Sequence, residues 1–261
     1  MLIIKSLAKL WRMIVMKRYI NIIRLLLLNE IRNREAMIFS LLLPLAILIL
    51  IGESDKTQVN YVYAGIICIA FGSMALVGVP SQLTNYRENG ILKRVKLTEL
   101  SLGDFLGCVY TAQVVFMIIQ AVIITIVAKI VYNLKFDFTH YFLLGMGLQI
   151  ILGMLALLSI GVVIAALSKN TRAASTIGNT VIVTMLFVGN TLFPSTGWPK
   201  AVKNVVKFFP MNTLGDGIRR TLINNSQTMN HFMFQTFSLA ACVLIFSVAG
   251  LYLLNKSVIN H

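Results

Sequence analysis

This sequence predicts an all-α polytopic membrane protein with six transmembrane helices, and three observations carry that prediction. Hydrophobic residues make up 57% of the chain and charged residues only 12%, about half the charged share of a soluble domain. The charges sit in short stretches between long uncharged runs, so whole segments lack the wet face that each element of a soluble fold presents. Six of those runs are long enough to cross about 30 Å of hydrocarbon at 1.5 Å per residue. They are continuously apolar rather than alternating, which selects helices, with their internal backbone hydrogen bonds, over a barrel.

Residues 1–35 come first and are too charged to cross. Leu7, Leu10, Trp11, Ile14 and Val15 oppose Lys5, Lys9 and Arg12, the pattern of an amphipathic helix lying along a leaflet with its cations among anionic head groups. The same charges leave no cleavable signal peptide. Simple anchoring and contact with a partner both fit this stretch. The six-helix core spans 36–254, with helices expected near Ala36 to Gly52, Val59 to Val79, Leu106 to Val131, Tyr141 to Leu167, Thr176 to Phe193 and Phe234 to Leu254. Pro44 falls inside the first, where a membrane helix tolerates a kink. The whole chain reads as a single transmembrane domain.

Basic residues set the orientation. Lys5, Lys9, Arg12, Lys17, Arg18, Arg24, Arg32 and Arg34 precede the first span, whereas the loop after it holds only Lys56 beside Glu53 and Asp55. Both termini are therefore expected on the cytoplasmic side of the cell membrane. The alternation continues through Arg87, Lys93, Arg94 and Lys96, then Lys129 and Lys135, then Lys169 and Arg172. It breaks in the fifth loop, where Lys200, Lys203, Lys207, Arg219 and Arg220 fall outside. That loop reads as structured. Pro199 suits a first helical position, Ala201, Val202, Val205, Val206, Phe208 and Phe209 make one apolar face, and Trp198 is an interfacial anchor. Pro210 is expected to end this helix, and Asn212 to cap a second through Leu214, Ile218 and Leu222. A disordered basic loop is the alternative.

The segment between spans two and three, within 80–105, carries the most information. Gly90 follows a polar turn, and Ile91, Leu92 and Val95 would share one side of a short helix whose other sides carry Lys93, Arg94 and Lys96. Such a knob suits a groove on another protein, its apolar anchors filling a pocket while the cations orient the encounter. An ordinary interfacial turn fits the same residues.

Embedded amides are the candidate substrate path. Gln113 and Gln120 share a face seven residues apart, as do Asn179 and Asn190 at eleven. They line a route or tie helices together by hydrogen bonds. Gly103, Gly107 and Thr111 form a small-residue ladder suited to close packing, within one subunit or between two.

Arg87, Glu88, Gly90, Leu92 and Lys93, followed by Thr98, Leu100 and Ser101, resemble the cytoplasmic coupling segment of type-two ATP-binding-cassette (ABC) transporter permeases. Asn33 to Pro44 is similar to that family's first span. Phe193, Pro194, Trp198, Phe209, Pro210 and Asp216 to Arg219 are similar to its fifth-to-sixth connection, which folds into short extracellular or re-entrant helices. The resemblance covers nearly the whole chain. It implies an exporter permease subunit that dimerises and is driven by separate ABC-type ATPase subunits, gripping here Glu88, Gly90, Leu92, Lys93 and Arg94, with Val95 beside them. The chain departs from the pattern at Glu99, where many relatives have proline and a fixed φ.

Several classes are disfavoured. The sequence has no Gly-Lys-Ser or Gly-Lys-Thr run to cradle phosphates, so ATP and Mg are expected on a partner and no cofactor on this chain. Cys68, Cys108 and Cys242 lie in apolar segments without ligand spacing, and His140, His231 and His261 cluster with no acids, so neither a metal site nor an enzyme is expected. The net charge of +14 flanks lipid-facing runs rather than forming a nucleic-acid stripe. A drug, peptide, lipid or glycan cargo is compatible with such spans. A self-sufficient secondary transporter or channel, and a structural scaffold, are the competing readings.

Overall fold

The computed structural model describes residues 2–32, 34–54, 59–98, 100–132, 143–188, 199–223 and 227–259. Among the described residues every regular element is helical. α1 (Leu2–Arg32) is one unbroken helix, followed by α2 (Arg34–Ser54), which contains Pro44. Next come α3 (Val59–Gly72), α4 (Val79–Glu88), the short α5 (Ile91–Lys96) and the long α6 (Leu102–Tyr132). α7 (Leu143–Leu167), α8 (Thr171–Val188), α9 (Lys200–Val206), α10 (Pro210–Ile218) and α11 (Met229–Ile259) complete the chain.

Among the described residues, four helical stretches are long and apolar enough to cross a membrane: Tyr61–Glu88, Leu102–Tyr132, Gly145–Leu167 and Met229–Ser257. The first expected span lies in α2, whose described apolar stretch Ser40–Leu50 is shorter than a full crossing. The fifth lies in α8, whose helix is followed by residues 189–198, outside the described ones. α7 pairs most extensively with α11, and the Tyr61–Glu88 stretch is the most deeply buried of the four.

That buried stretch is not a plain α-helix. Between α3 and α4 the backbone widens into a π-helical turn, Ser73–Gly78, in which the Val79 N–H donates to Met74 O. Pro80 supplies the physical reason. It has no N–H and its ring would collide with the carbonyl four residues back, which is Leu76 O. In the π register the N–H that would serve Ala75 O is again that of Pro80. Both carbonyls meet glycine backbones instead. A Cβ on Gly161 of α7 would stand 2.0 Å from Ala75 O, and one on Gly178 of α8 would stand 1.9 Å from Leu76 O. Only the absence of a side chain lets α7 and α8 come this close. Ser81 Oγ and Ser175 Oγ, 2.8 Å apart, fasten α4 to α8 one turn away.

α6 is tied to its neighbours by polar bonds. Tyr63 Oη lies 2.7 Å from Thr125 Oγ1, Gln120 Nε2 donates to Ser40 Oγ at 3.0 Å, and Tyr132 Oη donates to Ile49 O at 3.0 Å.

The α9–α10 pair stands where the sequence predicts two short helices, but its boundary differs. Pro210 begins α10 rather than merely ending α9, the first-turn position where a missing N–H costs nothing. Asn212 does not cap the second helix. Its Nδ2 donates to Val206 O at 3.1 Å and so closes the C-terminal end of the first.

Candidate functional site

The coupling segment is shorter as a loop than expected, because α4 continues through Asn85, Tyr86, Arg87 and Glu88 before the chain turns. Gly90 makes that turn with φ of 70°, a left-handed conformation in which any side chain would be strained. α5 follows. At the far side, Ser101 and Asp104 form a reciprocal cap for α6: the Asp104 N–H donates to Ser101 Oγ at 3.0 Å, and Ser101 Oγ to Asp104 Oδ2 at 2.6 Å. Thr98 Oγ1 donates to Val95 O at 2.6 Å and accepts the Leu100 N–H at 3.3 Å. These bonds tie Thr98 to Val95 and Leu100; Glu99 lies outside the described residues.

The expected apolar face of α5 is divided between inside and outside. Leu92 is 0% exposed and belongs to the hydrophobic core, and half-buried Val95 packs against that core. Leu92 therefore anchors the segment from within and is not presented to a partner. Ile91 (36% exposed) and Leu97 (88% exposed) point outward, with Lys93 and Arg94 exposed beside them. A cavity of about 690 Å³ opens next to them, bounded by Ile22 of α1, Leu97, Leu100 and Phe105.

Arg87, buried, and Glu88, exposed, both bond to other parts of the chain. Arg87 is 8% exposed, donates from Nη1 to Ala165 O at 3.3 Å and from Nη2 to Ser168 O. Those carbonyls belong to the end of α7, where the last turn has no intrahelical donors and the dipole favours a cation. Glu88 accepts the Thr171 N–H at 3.2 Å and the Thr171 hydroxyl at 2.5 Å, at the start of α8 where an anion is favoured. Adjacent residues thus grip the two helix ends flanking the α7–α8 turn, each with the charge that end prefers. Asn170 completes the junction by accepting the Ala173 N–H at 2.8 Å.

Gln113 and Gln120 are buried and tie helices together. Gln113 Nε2 donates to Glu30 Oε1 at 2.8 Å, and Gln82 Nε2 donates to the same oxygen at 2.8 Å. One carboxylate therefore joins α1, α4 and α6. Burial pushes the Glu30 carboxyl above its usual range, and the two amide donors offset part of that rise. Sequence reasoning missed Glu30, although an acid among so many N-terminal cations was its visible signal. Asn179 is exposed on α8 with Thr176, Thr180 and Thr184, and each threonine hydroxyl donates to the carbonyl one turn back. This is a polar ridge on an otherwise apolar helix. Asn190 lies outside the described residues. No cluster of metal-ligating side chains occurs among the described residues.

A bundle of apolar helices, with the end of α4 fastened to the α7–α8 turn and the cation-bearing α5 beside it, defines a helical membrane component. The ABC-2 type transporter family model matches residues 18–223, most of the chain, and the protein belongs to that family. It is accordingly a permease component of a type-2 ABC transporter, a family that normally works with ABC ATPase subunits. No curated protein matches the chain.

Proposed function

We propose that this chain is the membrane subunit of an ATP-driven exporter in the cell membrane. Six spans with both termini cytoplasmic place α5 on the inner side, and two copies form the transport path. Separate ATPase subunits hold ATP and Mg. The cargo class is a drug, peptide, lipid or glycan, taken from the family resemblance. α9 and α10 stand as short helices on the outer side, and α1 lies along the inner leaflet as an amphipathic anchor.

The observation that carries this reading is the outward pairing of Ile91 and Leu97 with Lys93 and Arg94, directly after the turn at Gly90 and the Arg87–Glu88 clamp. A partner pressing on α5 pushes the end of α4, and the clamp passes that displacement to the end of α7 and the start of α8. α8 carries the exposed ridge of Thr176, Asn179, Thr180 and Thr184, which suits a hydrated route between two copies better than a lipid contact. Asn179 thus stays on the proposed path, while Gln113 and Gln120 serve as helix ties. Gly103, Gly107 and Thr111 are exposed on α6 and leave a face free for close helix approach.

Replacing Ile91 and Leu97 together by Glu tests the reading. A well-packed apolar anchor is worth about 2 kcal/mol, so charging both weakens ATPase docking by roughly a thousandfold. The double variant should insert normally and fail to co-purify with the ATPase. Unchanged co-purification contradicts the docking face, and transport by vesicles containing the chain alone contradicts the ATP-driven reading.

A further inference from the structure

The junction of α1, α4 and α6 holds an acid that the docking surface does not use. Glu30, half-buried on α1, has both of its hydrogen bonds on one oxygen: Gln82 Nε2 and Gln113 Nε2 each donate to Oε1 at 2.8 Å. Among the described residues Oε2 accepts none, and no cation pairs with the carboxyl. An ionised carboxylate has two equivalent accepting oxygens, whereas a neutral carboxyl has one accepting carbonyl and one donating hydroxyl. Two donors gathered on Oε1 are the pattern of the neutral form, with Oε1 as its carbonyl.

The two amides repeat the imbalance. Gln113 is 2% exposed, and its Nε2 also approaches Gln82 Oε1 at 3.4 Å, which sets both amide orientations. Gln113 Oε1 is left buried without a hydrogen-bond partner. The cluster therefore has more acceptors than donors, and a proton on Glu30 adds a donor to it. Burial, which pushes the Glu30 carboxyl above its usual range, acts in the same direction.

The surrounding titratable groups leave Glu30 without a countercharge. From α4, Tyr86 accepts Asn29 Nδ2 at 3.5 Å, and a phenol is neutral at cytoplasmic pH. On α6 Asp104 lies nine residues before Gln113, about 14 Å along the helix, and engages Ser101. On α1 itself Arg24 and Arg32 are exposed. On α2 Arg34 and Glu35 begin the helix, their side chains outside the described residues.

We propose that Glu30 is a proton-binding site that latches α1 onto α4 and α6, docked while the carboxyl carries its proton and released when the proton leaves to water. On release the carboxylate turns to solvent, and Gln82 and Gln113 lose their shared acceptor. α1 also lines the cavity beside α5 through Arg18, Asn21 and Ile22, so its release opens that cavity. The latch is read on the permease alone; only its exposure to cytoplasmic pH rests on the orientation proposed above.

The test uses the purified full-length chain in lipid nanodiscs from about pH 4.5 to 8.5. Leu26, one turn before Glu30 on the same face, is 7% exposed, and neighbouring Leu25 is 66% exposed. Leu26→Cys and Leu25→Cys are made separately, each with Cys242→Ser, and labelled with a soluble maleimide. Cys68 and Cys108 are buried and set a background measured without an introduced cysteine. The ratio of the two labelling rates cancels the pH dependence of thiol chemistry. Between the released and docked pKa values docking weakens about tenfold per pH unit, so the ratio of Leu26 to Leu25 labelling should rise by up to that factor. Glu30→Gln presents the same acceptor and a permanent donor, and in that background the ratio should stay flat. A flat ratio with Glu30 in place, or an equal rise with Glu30→Gln, overturns the latch. Infrared pH-difference spectra give the second readout: a protonated-carboxyl carbonyl band that titrates over the same range should be missing in Glu30→Gln. Identical spectra overturn the proton site. Each cysteine variant is first required to match the wild-type elution. If Leu26→Cys does not, the infrared comparison, which needs only Glu30→Gln, decides.

Discussion

Gly178→Ala should destabilise the protein far more than one methyl group normally does. Its Cβ would lie 1.9 Å from Leu76 O, whereas ordinary contact begins near 3.4 Å, so α8 would have to retreat by about 1.5 Å. Two attachments resist that retreat. One turn before Gly178, Ser175 is bound to Ser81 at 2.8 Å, and one turn after it Ile182 Cδ1 stands 3.1 Å from where a Cβ on Gly72 would be. The clash is with backbone, which cannot rotate aside as a side chain can. Overpacking of this kind costs about 3 kcal/mol, against a gain of about 1 kcal/mol in helix propensity. A net loss of about 2 kcal/mol lowers Tm by roughly 4–8 °C in a domain of this size. Gly147→Ala is the matched control: it is also mid-helix, nothing lies within 4 Å of its added Cβ, and only the propensity gain remains. Fluorescence-detected size-exclusion chromatography after heating, on both variants in the same detergent, reads the difference. If Gly178→Ala melts with wild type or above it, the backbone contact between α8 and the π-helical turn is refuted.

Other perturbations have equally definite outcomes. Arg87→Leu leaves the Ala165 and Ser168 carbonyls without their charged donor, at a cost of roughly 3 kcal/mol, and should lower Tm. Glu88→Gln keeps an acceptor but removes the charge at the start of α8, so its smaller loss should shrink as salt is raised; a salt-independent loss would deny the dipole contribution. Because burial raises the Glu30 carboxyl, the stability it confers is full below its unfolded pKa of about 4.3 and lost as pH rises through the higher native value. Glu30→Gln retains an acceptor for Gln82 and Gln113, so wild type should lose Tm relative to this variant between pH 4.5 and 7.5, and a pH-independent difference contradicts the buried carboxylate.

The helical class and the order of the elements were legible because each rests on local periodicity. Long apolar runs announce themselves in any window, and Gly90 and Pro210 punctuate the chain where the sequence suggests. What periodicity could not show was which partner takes each polar side chain. Ile91, Leu92 and Val95 share an apolar character, yet Leu92 is drawn into the core while Ile91 stays out, a division decided by how α5 leans on its neighbours. Arg87 reads as a loop cation because a charged side chain is costly inside a membrane span. The waiting carbonyls at the end of α7 lie 78 residues away in sequence. Glu30, Gln82 and Gln113 are separated by 52 and 31 residues, so no spacing rule joins them. Pro80 was visible, but its consequence depended on Gly161 and Gly178 arriving from two other helices.

The central claim is that the outward side of α5 meets an ATPase. A photo-crosslinking amino acid placed at Leu97, in cells that also express the partner ATPase, measures that contact directly. The claim predicts a light-dependent adduct between the two chains that is absent when the same group is placed at Phe237, an exposed position near the opposite end of the bundle. Adducts to lipid alone at Leu97, with the ATPase left uncoupled, would contradict it.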